Sequence, residues 1–367
     1  ILFLILVFLM VSTAAAQFVQ VDGTDFTLDG KPFYFAGANN YYLFYKPLSQ
    51  VQEVMDDAVA LNLTVIRTWG FCDGICSDGN FNSLQSSPGV YNEAAFQDFD
   101  RVIKEASDRG LKLIVPLVNN WKEFGGMCQY VKWCGLPDSA LCAADESWPF
   151  GRPTEVHDMF YTDTCTKDAY KNYVSYFLNR VNTLTGIAYK DDPTIFAWEL
   201  ANEPRARSDP STVILNDWIG EMSAYIKTID STHLVTAGGD GGYKDKSSDP
   251  EWSWWYHGNE GQDFIGNHQW PGIDFSTFRY YPESGKFDDV DPDLWIQEHV
   301  EDSHNIIGKP VILEEFGSAN DKPNVIGDFY DQLELNGVNG DTVWMTILLL
   351  GMMVISYHAQ MMALFAM

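Results

Sequence analysis

Apolar runs of strand length alternate with amphipathic runs of helix length along most of this chain, and few folds tolerate that order. The strand-like runs are Phe33–Ala38, Thr64–Trp69, Leu111–Val118, Ile195–Leu200, Leu234–Ala237, Ile273–Tyr280, Val311–Glu315 and Thr342–Ile347. The helix-like runs are Gln50–Leu61, Glu93–Asp108, Lys167–Thr183, Thr212–Ile229, Leu294–Asn305 and Val325–Leu335, while the fifth crossover shows no clear helix. Repeated βα units predict an α/β protein with a parallel sheet covered by helices. Eight strands in this order close into a single (β/α)8 TIM barrel. A doubly wound sheet would carry a Gly-rich turn after its first strand, and none is there. No repeat, low-complexity tract or linker divides the 367 residues.

The ends of these runs gather the chemistry. One apolar run breaks off in Asn202-Glu203-Pro204, and another, Val311-Ile312-Leu313, ends in Glu314-Glu315-Phe316-Gly317. A barrel presents its reactive groups at the C-terminal ends of its strands. Two carboxyls so placed are the minimum for cutting a glycosidic bond: one protonates the leaving oxygen, and the other attacks or activates water. Glu203 suits the acid, because burial at a strand end favours a neutral carboxyl. Glu315 suits the ionised partner, with Arg67 as the cation that keeps it so. Glu314 competes with it, but pleat alternation lets only one of two neighbours face the barrel axis.

Other strand ends carry polar or aromatic groups as well: Arg67-Thr68-Trp69, Asn119-Asn120-Trp121 and Tyr280-Tyr281. Trp121 follows its strand and reads as a subsite wall. The segment 122–166 holds four of the six cysteines and is too long for an ordinary βα loop. It reads as a disulfide-pinned insertion after strand 3 that walls the cleft.

Charge and termini narrow the partners. With 23 basic against 51 acidic residues, the net charge of -28 repels nucleic acid and anionic lipid and suits a neutral partner. Aromatics reach 14% with 12 Trp, supplying flat faces on which sugars stack as well as core packing. The apolar run Ile1–Met10 followed by Val11–Ala16 reads as a signal peptide, residues 1–16, ahead of a catalytic domain over 17–367. That run is short for a membrane span. In a secreted, extracellular chain the cysteines pair, and the most local scheme is Cys72–Cys76, Cys128–Cys134 and Cys142–Cys165, one of several possible. No CxxC pair or metal-ligand His spacing is present, and His299 and His304 do not share a helix face, so no metal or cofactor is expected. Asn62-Leu63-Thr64 is a glycosylation sequon, but it leads straight into an apolar strand.

From Phe18 to about Trp344 the chain resembles the endo-β-1,4-mannanases of glycoside hydrolase family 5, in the branch shared by plants and fungi. Besides the two Glu motifs, the matching stretches are Gly30-Lys31-Pro32-Phe33-Tyr34-Phe35-Ala36-Gly37, Ile66-Arg67-Thr68-Trp69-Gly70-Phe71 and Asn119-Asn120-Trp121 with Gly125-Gly126. Glu260-Gly261-Gln262-Asp263-Phe264 and Ile273-Asp274-Phe275-Ser276-Thr277-Phe278 match as well. The resemblance implies Glu203 as acid/base and Glu315 as nucleophile, since the family's nucleophile directly precedes Phe-Gly. It implies that Arg67 and Asn202 hold the nucleophile and the substrate hydroxyl, that Tyr281 hydrogen-bonds the nucleophile, and that Trp344 stacks on sugar. Trp69, Asn119, Trp121 and Arg279 complete the expected substrate-binding set. The implied enzyme is secreted, monomeric and without stable membrane association. It hydrolyses internal β-1,4-mannosidic bonds of mannan, glucomannan and galactomannan with retention; a β-1,4-glucanase of the same family is the alternative.

Two features depart from that pattern. Arg279 stands where the family has His, and a larger permanent cation there would crowd the sugar and over-stabilise ionised carboxylates. A mannan-binding protein with weakened catalysis is therefore a reading from another class. After Trp344 the run Met345-Thr346-Ile347-Leu348-Leu349-Leu350-Gly351-Met352-Met353-Val354-Ile355 replaces the family's Asp-Asp-Gly-rich loop. Met-Met-Val-Ile is what codons for Asp-Asp-Gly-Tyr give one base out of frame, so residues after about 345 read as frameshifted.

Overall fold

The computed structural model describes residues 18–74, 76, 83–139, 142, 155–246, 254–282, 290–318 and 322–344. Its main sheet holds eight parallel strands: β1 (Phe35–Asn39), β2 (Val65–Arg67), β3 (Lys112–Pro116), β4 (Ile195–Glu199), β5 (Leu234–Thr236), β6 (Ser276–Tyr280), β7 (Val311–Phe316) and β8 (Gly340–Trp344). They pair in the order β5-β4-β3-β2-β1-β8-β7-β6, so strands adjacent in sequence are adjacent in space. The seam between β5 and β6 is bridged by Asp274 N to Val235 O at 2.8 Å, Val235 N to Asp274 Oδ2 at 2.7 Å and Thr236 Oγ1 to Phe275 O at 3.0 Å. The sheet thus curls into a nearly closed TIM barrel.

The alternation in the sequence located every barrel strand, with one shift of frame at the end. β8 begins at Gly340 rather than Thr342 and runs beside β1 from Phe35 to Asn39. Its predicted extension to Ile347 lies outside the described residues, as do residues 1–17 and the atypical tail.

Helices cover the sheet: α1 (Leu48–Ala60), α2 (Glu93–Asp108), α3 (Gly126–Trp133), α4 (Glu155–Thr162), α5 (Thr164–Asn179), α6 (Val213–Ile229), α7 (Phe264–His268), α8 (Pro292–Asp302) and α9 (Lys322–Asn336). Asn92 caps α2 by accepting from Ala94 N at 3.1 Å, and Asp163 caps α5 through Cys165 N at 2.8 Å. The fifth crossover, which has no clear periodicity, holds only the five-residue α7. Two short helices, α3 and α4, form inside the insertion and give too few turns to show a hydrophobic period.

The disulfides correct the local scheme. Cys72–Cys76 forms as expected, but the other bridges are Cys128–Cys142 and Cys134–Cys165. Cys128 lies in α3 and Cys134 caps its C-terminus. Six helical residues rise about 9 Å, beyond the ~7 Å that a disulfide spans between Cα atoms. The helix itself therefore forbids the local pair, and each cysteine reaches out of α3 instead. Among the described residues no helix is long and apolar enough to cross a membrane.

Side chains alternate between the two sides of the sheet. Leu113 and Val115 join the large cluster with the helices, whereas Ile114 between them joins a smaller cluster with Phe35, Val65, Phe196, Phe275 and Ile312. This smaller cluster fills the barrel at the start of its strands. An N-terminal meander (Gln20–Asp22, Asp25–Leu28, Lys31–Pro32) closes that mouth with Phe26, whose ring lies 5.2 Å from Phe196 and 5.4 Å from Phe275. Among the described residues this packing leaves the opposite mouth, at the strand C-termini, as the barrel's polar end.

β4 is also tied from behind. Trp198 Nε1 donates to Asp230 Oδ2 at 2.7 Å, and His233 Nδ1 meets the same oxygen at 2.6 Å. Burial alone would raise the Asp230 carboxyl, but its bonds to His233 and Trp198 outweigh burial and bring it down to about 2. A carboxyl lowered by folding stabilises the native state fully above its unfolded value of about 4, and the contribution is lost as pH falls through the folded value. The thermal unfolding midpoint should therefore decline between pH ~4 and ~2, and Asp230→Asn should flatten that decline. An unchanged acid profile in the variant would contradict the assignment.

Candidate active site

β2 is only three residues long and ends on Arg67, whose side chain is fully buried. Its Nε and Nη2 grip the two Glu199 oxygens at 2.7 Å each, a two-bond fork on the last residue of β4. Nη1 reaches Asn39 Oδ1 at 3.0 Å and Glu315 Oε1 at 2.6 Å, and Nη2 also reaches Asn202 Oδ1 at 2.8 Å. Asn39 then donates to the carbonyls of Glu314 (3.0 Å) and Thr342 (2.8 Å). One guanidinium thus links the C-terminal ends of β1, β2, β4 and β7, and Asn39 adds β8. Burial would strip its proton, but Glu199, Glu314 and Glu315 more than offset that and hold it charged.

Glu199 was missed from sequence, although a signal existed. It sits inside the otherwise apolar run Ile195–Leu200, and a carboxylate buried there needs a cation. Arg67 is that cation.

Glu203 lies just past β4 with φ of 54°, in the left-handed region that non-glycine residues seldom adopt. Its backbone N donates to Gly238 O at 3.0 Å, which holds the turn. Gly238 has φ of 81°, and a Cβ there would fall 2.3 Å from Glu199 Oε1, so only glycine fits. Glu203 Oε2 accepts from Trp121 Nε1, and Arg205 Nη2 approaches it at 3.4 Å. Across the mouth, Glu315 Oε2 accepts from Tyr281 OH at 2.9 Å.

Pleat alternation misjudged the Glu314-Glu315 pair. The register slips between Phe278 and Arg279 along β6–β7, and again between Leu313 and Phe316 along β7–β8. Such irregularity lets two neighbours point the same way. Both carboxylates face inward: Glu315 on Arg67, and Glu314 with Oε2 2.8 Å from Arg279 Nη2. Burial and the neighbouring Glu199 push Glu314 up to about 7 against the pull of Arg67 and Arg279. Burial raises Glu315 too, opposed first by Arg279 and then by Arg67. Arg67 therefore acts in the expected direction, but burial exceeds its pull.

Arg279 enters from β6, fully buried. Its Nη1 lies 3.1 Å from Glu203 Oε1 and 2.6 Å from Glu315 Oε1. These two oxygens share one nitrogen and so are at most about 5.7 Å apart, short of the ~6.5–9.5 Å of an inverting pair.

Several expected sugar contacts have other duties. Asn119 is buried; its Oδ1 accepts from Asn202 Nδ2 at 2.9 Å and its Nδ2 donates to Glu123 O at 2.9 Å. It holds Asn202 rather than facing the cleft. Trp69 is 7% exposed, packed 4.6 Å from Tyr41 and 5.0 Å from Phe124, so it supports the wall from behind. Trp344 is half-buried and stacks on Tyr41 at 5.6 Å, lining a cleft of about 330 Å³ with Asn39, Tyr45 and Lys46. Trp121 is also half-buried, with the Arg205 guanidinium 4.7 Å over its ring.

The insertion abuts the same corner, as expected of a cleft wall: Tyr161 OH of α4 donates to Arg205 O at 3.0 Å. A further network escaped sequence analysis, with Arg205 on Asp240 at 2.8 Å and Arg207 on Glu260 at 2.6 Å. Its members lie on different crossovers, and only the fold brings them together. Among the described residues one trio has metal-ligand spacing, Cys134, Asp163 and Cys165, and its cysteines are joined in a disulfide.

Removing the central cation should cost more than any surface change. Arg67→Met leaves Glu199 buried without its main partner and Glu315 with one cation fewer, and the expected loss is about 3–5 kcal/mol in urea unfolding. Arg67→Lys keeps the charge but not the fork and should fall in between. A loss below about 1 kcal/mol for Arg67→Met would deny the network its structural role.

Comparison with known proteins agrees with this geometry. Residues 16–350 match the family model described as GH family 5 beta-mannosidase-like. Mannan endo-1,4-beta-mannosidase 7 of Arabidopsis thaliana is 41% identical over 322 residues, covering 83% of this chain and 69% of that protein. The putative mannan endo-1,4-beta-mannosidase 9 of Oryza sativa subsp. japonica is 42% identical over 318 residues, covering 83% and 72%. The endo-1,4-beta-mannanase of Rhizomucor miehei superposes with a TM-score of 0.78 at 39% identity, covering 89% of this chain and 90% of that one. A hyperthermostable endo-1,4-beta-D-mannanase from Thermotoga petrophila gives 0.75 at 35%, covering 85% and 88%. With its barrel, its paired strand-end glutamates and these relatives, the chain belongs to glycoside hydrolase family 5, among the β-mannosidase-like members.

Proposed function

We propose that the chain is an endo-acting hydrolase of internal β-1,4-mannosidic bonds in mannan, glucomannan and galactomannan. Glu203 is the acid/base and Glu315 the nucleophile. The observation that carries this reading is their placement: two carboxylates within about 5.7 Å at the open mouth of the barrel. In the first step Glu315 attacks the anomeric carbon while Glu203 protonates the departing oxygen. In the second, Glu203 takes a proton from water as the water displaces Glu315, so configuration is retained. Tyr281 and Arg67 orient Glu315, and Trp121 fixes Glu203. Asn202, held by Arg67 and Asn119, is the proposed partner of a sugar hydroxyl, and Trp344 with Tyr41 is the proposed stacking face beyond the reacting bond.

The choice of mannose over glucose rests on the relatives, whose names specify mannan. Three disulfides support an extracellular location, with residues 1–16 as a leader and 17–367 as one catalytic domain.

Reducing-end release from mannan, cellulose and barley glucan tests the substrate. Release from mannan is expected; release from the glucans alone would reject the reading in favour of a glucanase. Glu203→Gln and Glu315→Gln should each lower kcat by about 10²–10⁴-fold or more. Glu203→Gln should spare an aryl glycoside whose leaving group needs no proton. Equal loss on both substrates would move the acid role elsewhere.

A further inference from the structure

Arg279 does more than sit near the catalytic pair. Its Nη1 contacts Glu203 Oε1 (3.1 Å), Glu315 Oε1 (2.6 Å) and Asn202 Oδ1 (3.1 Å). Its Nη2 contacts Glu314 Oε2 (2.8 Å), Gly238 O (3.3 Å) and Glu199 Oε1 (3.5 Å). The backbone is pinned on both sides, with Arg279 N on Asp240 O and Trp295 Nε1 on Arg279 O, each at 3.0 Å. The guanidinium is therefore a fixed bridge across the two carboxylates.

That position conflicts with the reaction. In a retaining mechanism the anomeric carbon and the glycosidic oxygen must occupy the space between acid and nucleophile. Nη1 already bonds one oxygen of each carboxylate and so ties up both groups that must face the sugar. The transition state also carries positive charge on the sugar ring. A permanent cation about 3 Å from each carboxylate opposes that charge and blunts the attraction the carboxylates would exert. Nor is Arg279 a receptor for an anionic sugar, because Glu203, Glu314 and Glu315 already neutralise it.

We infer that Arg279 is a built-in brake: its ion bridge between Glu203 and Glu315 slows turnover, while the cleft beside it still binds β-mannan. The inference rests on the mannan-hydrolase reading of the same site. Turnover requires Nη1 to let go of both carboxylates, while the bonds from Nη2 to Glu314 and Gly238 keep the side chain anchored. The brake acts on kcat, because the stacking face of Trp344 and Tyr41 does not depend on it.

Kinetics on mannohexaose test this with Arg279→His, Arg279→Gln and Arg279→Lys. The His and Gln variants should raise kcat by about tenfold or more, with KM changed less than about threefold. The Lys variant keeps the charge and should stay near the wild type. If the wild type matches the His and Gln variants, the brake is wrong and the hydrolase reading stands. If no variant or wild type releases reducing ends, both fall. Should the variants fail to fold, the wild type alone decides. The brake predicts a kcat below about 1 s⁻¹ with measurable binding of mannohexaose by calorimetry, and a kcat at or above the ~10 s⁻¹ typical of enzymes would overturn it.

Discussion

The buried Arg67 guanidinium is the interaction on which the rest of the site depends. A barrel of short parallel strands leaves its C-terminal ends as separate chain tips, and tips bearing carboxylates repel one another. Arg67 turns that repulsion into attraction by binding Glu199 through a fork and Glu315 and Asn202 through its remaining hydrogens. A planar, permanently charged group with five donors suits this task, whereas an ammonium would satisfy fewer partners at fixed angles. Burial makes the arrangement stiff as well as costly to disturb.

From that centre the polarity of the molecule follows. Phe26 and its neighbours fill the strand N-terminal mouth, so apolar packing defines one end and ionic packing the other. The irregular register of β7 brings Glu314 and Glu315 inward together, placing more negative charge in the mouth than Arg67 alone balances. Arg279 supplies the second cation, and Arg205 and Arg207 answer Asp240 and Glu260 further out. The site is therefore an ordered lattice of charges in which each cation has a structural reason. In Arg279 the structural demand meets the proposed catalysis, because the charge that balances Glu314 also spans Glu203 and Glu315.

Most of the fold and the proposed catalytic pair were legible because each rests on a local pattern. Strand-length apolar runs identified the eight barrel strands, and Glu203 and Glu315 stood out as carboxylates where such runs stop. What escaped depends on contacts between distant segments. Glu199 looked like part of an apolar strand until Arg67, on another strand, appeared beside it. Asn119 and Trp69 were assigned to the cleft by their place at strand ends, yet the turn that follows directs Asn119 to Asn202, and Trp69 packs behind Tyr41. The alternation rule for Glu314 and Glu315 failed because it assumes a regular pleat, and register slips in β7 are set by its neighbours. The cysteine pairing went wrong because α3, too short to leave a periodic trace, separates Cys128 from Cys134.

The central claim is that this lattice sets Glu203 and Glu315 close enough for direct attack on the sugar. The anomeric configuration of the first product reports on it most directly. Proton NMR of mannohexaose during the earliest turnover, before mutarotation, should show the β-anomer at the new reducing end. First appearance of the α-anomer would mean that water attacks across a wider gap, and would contradict the account.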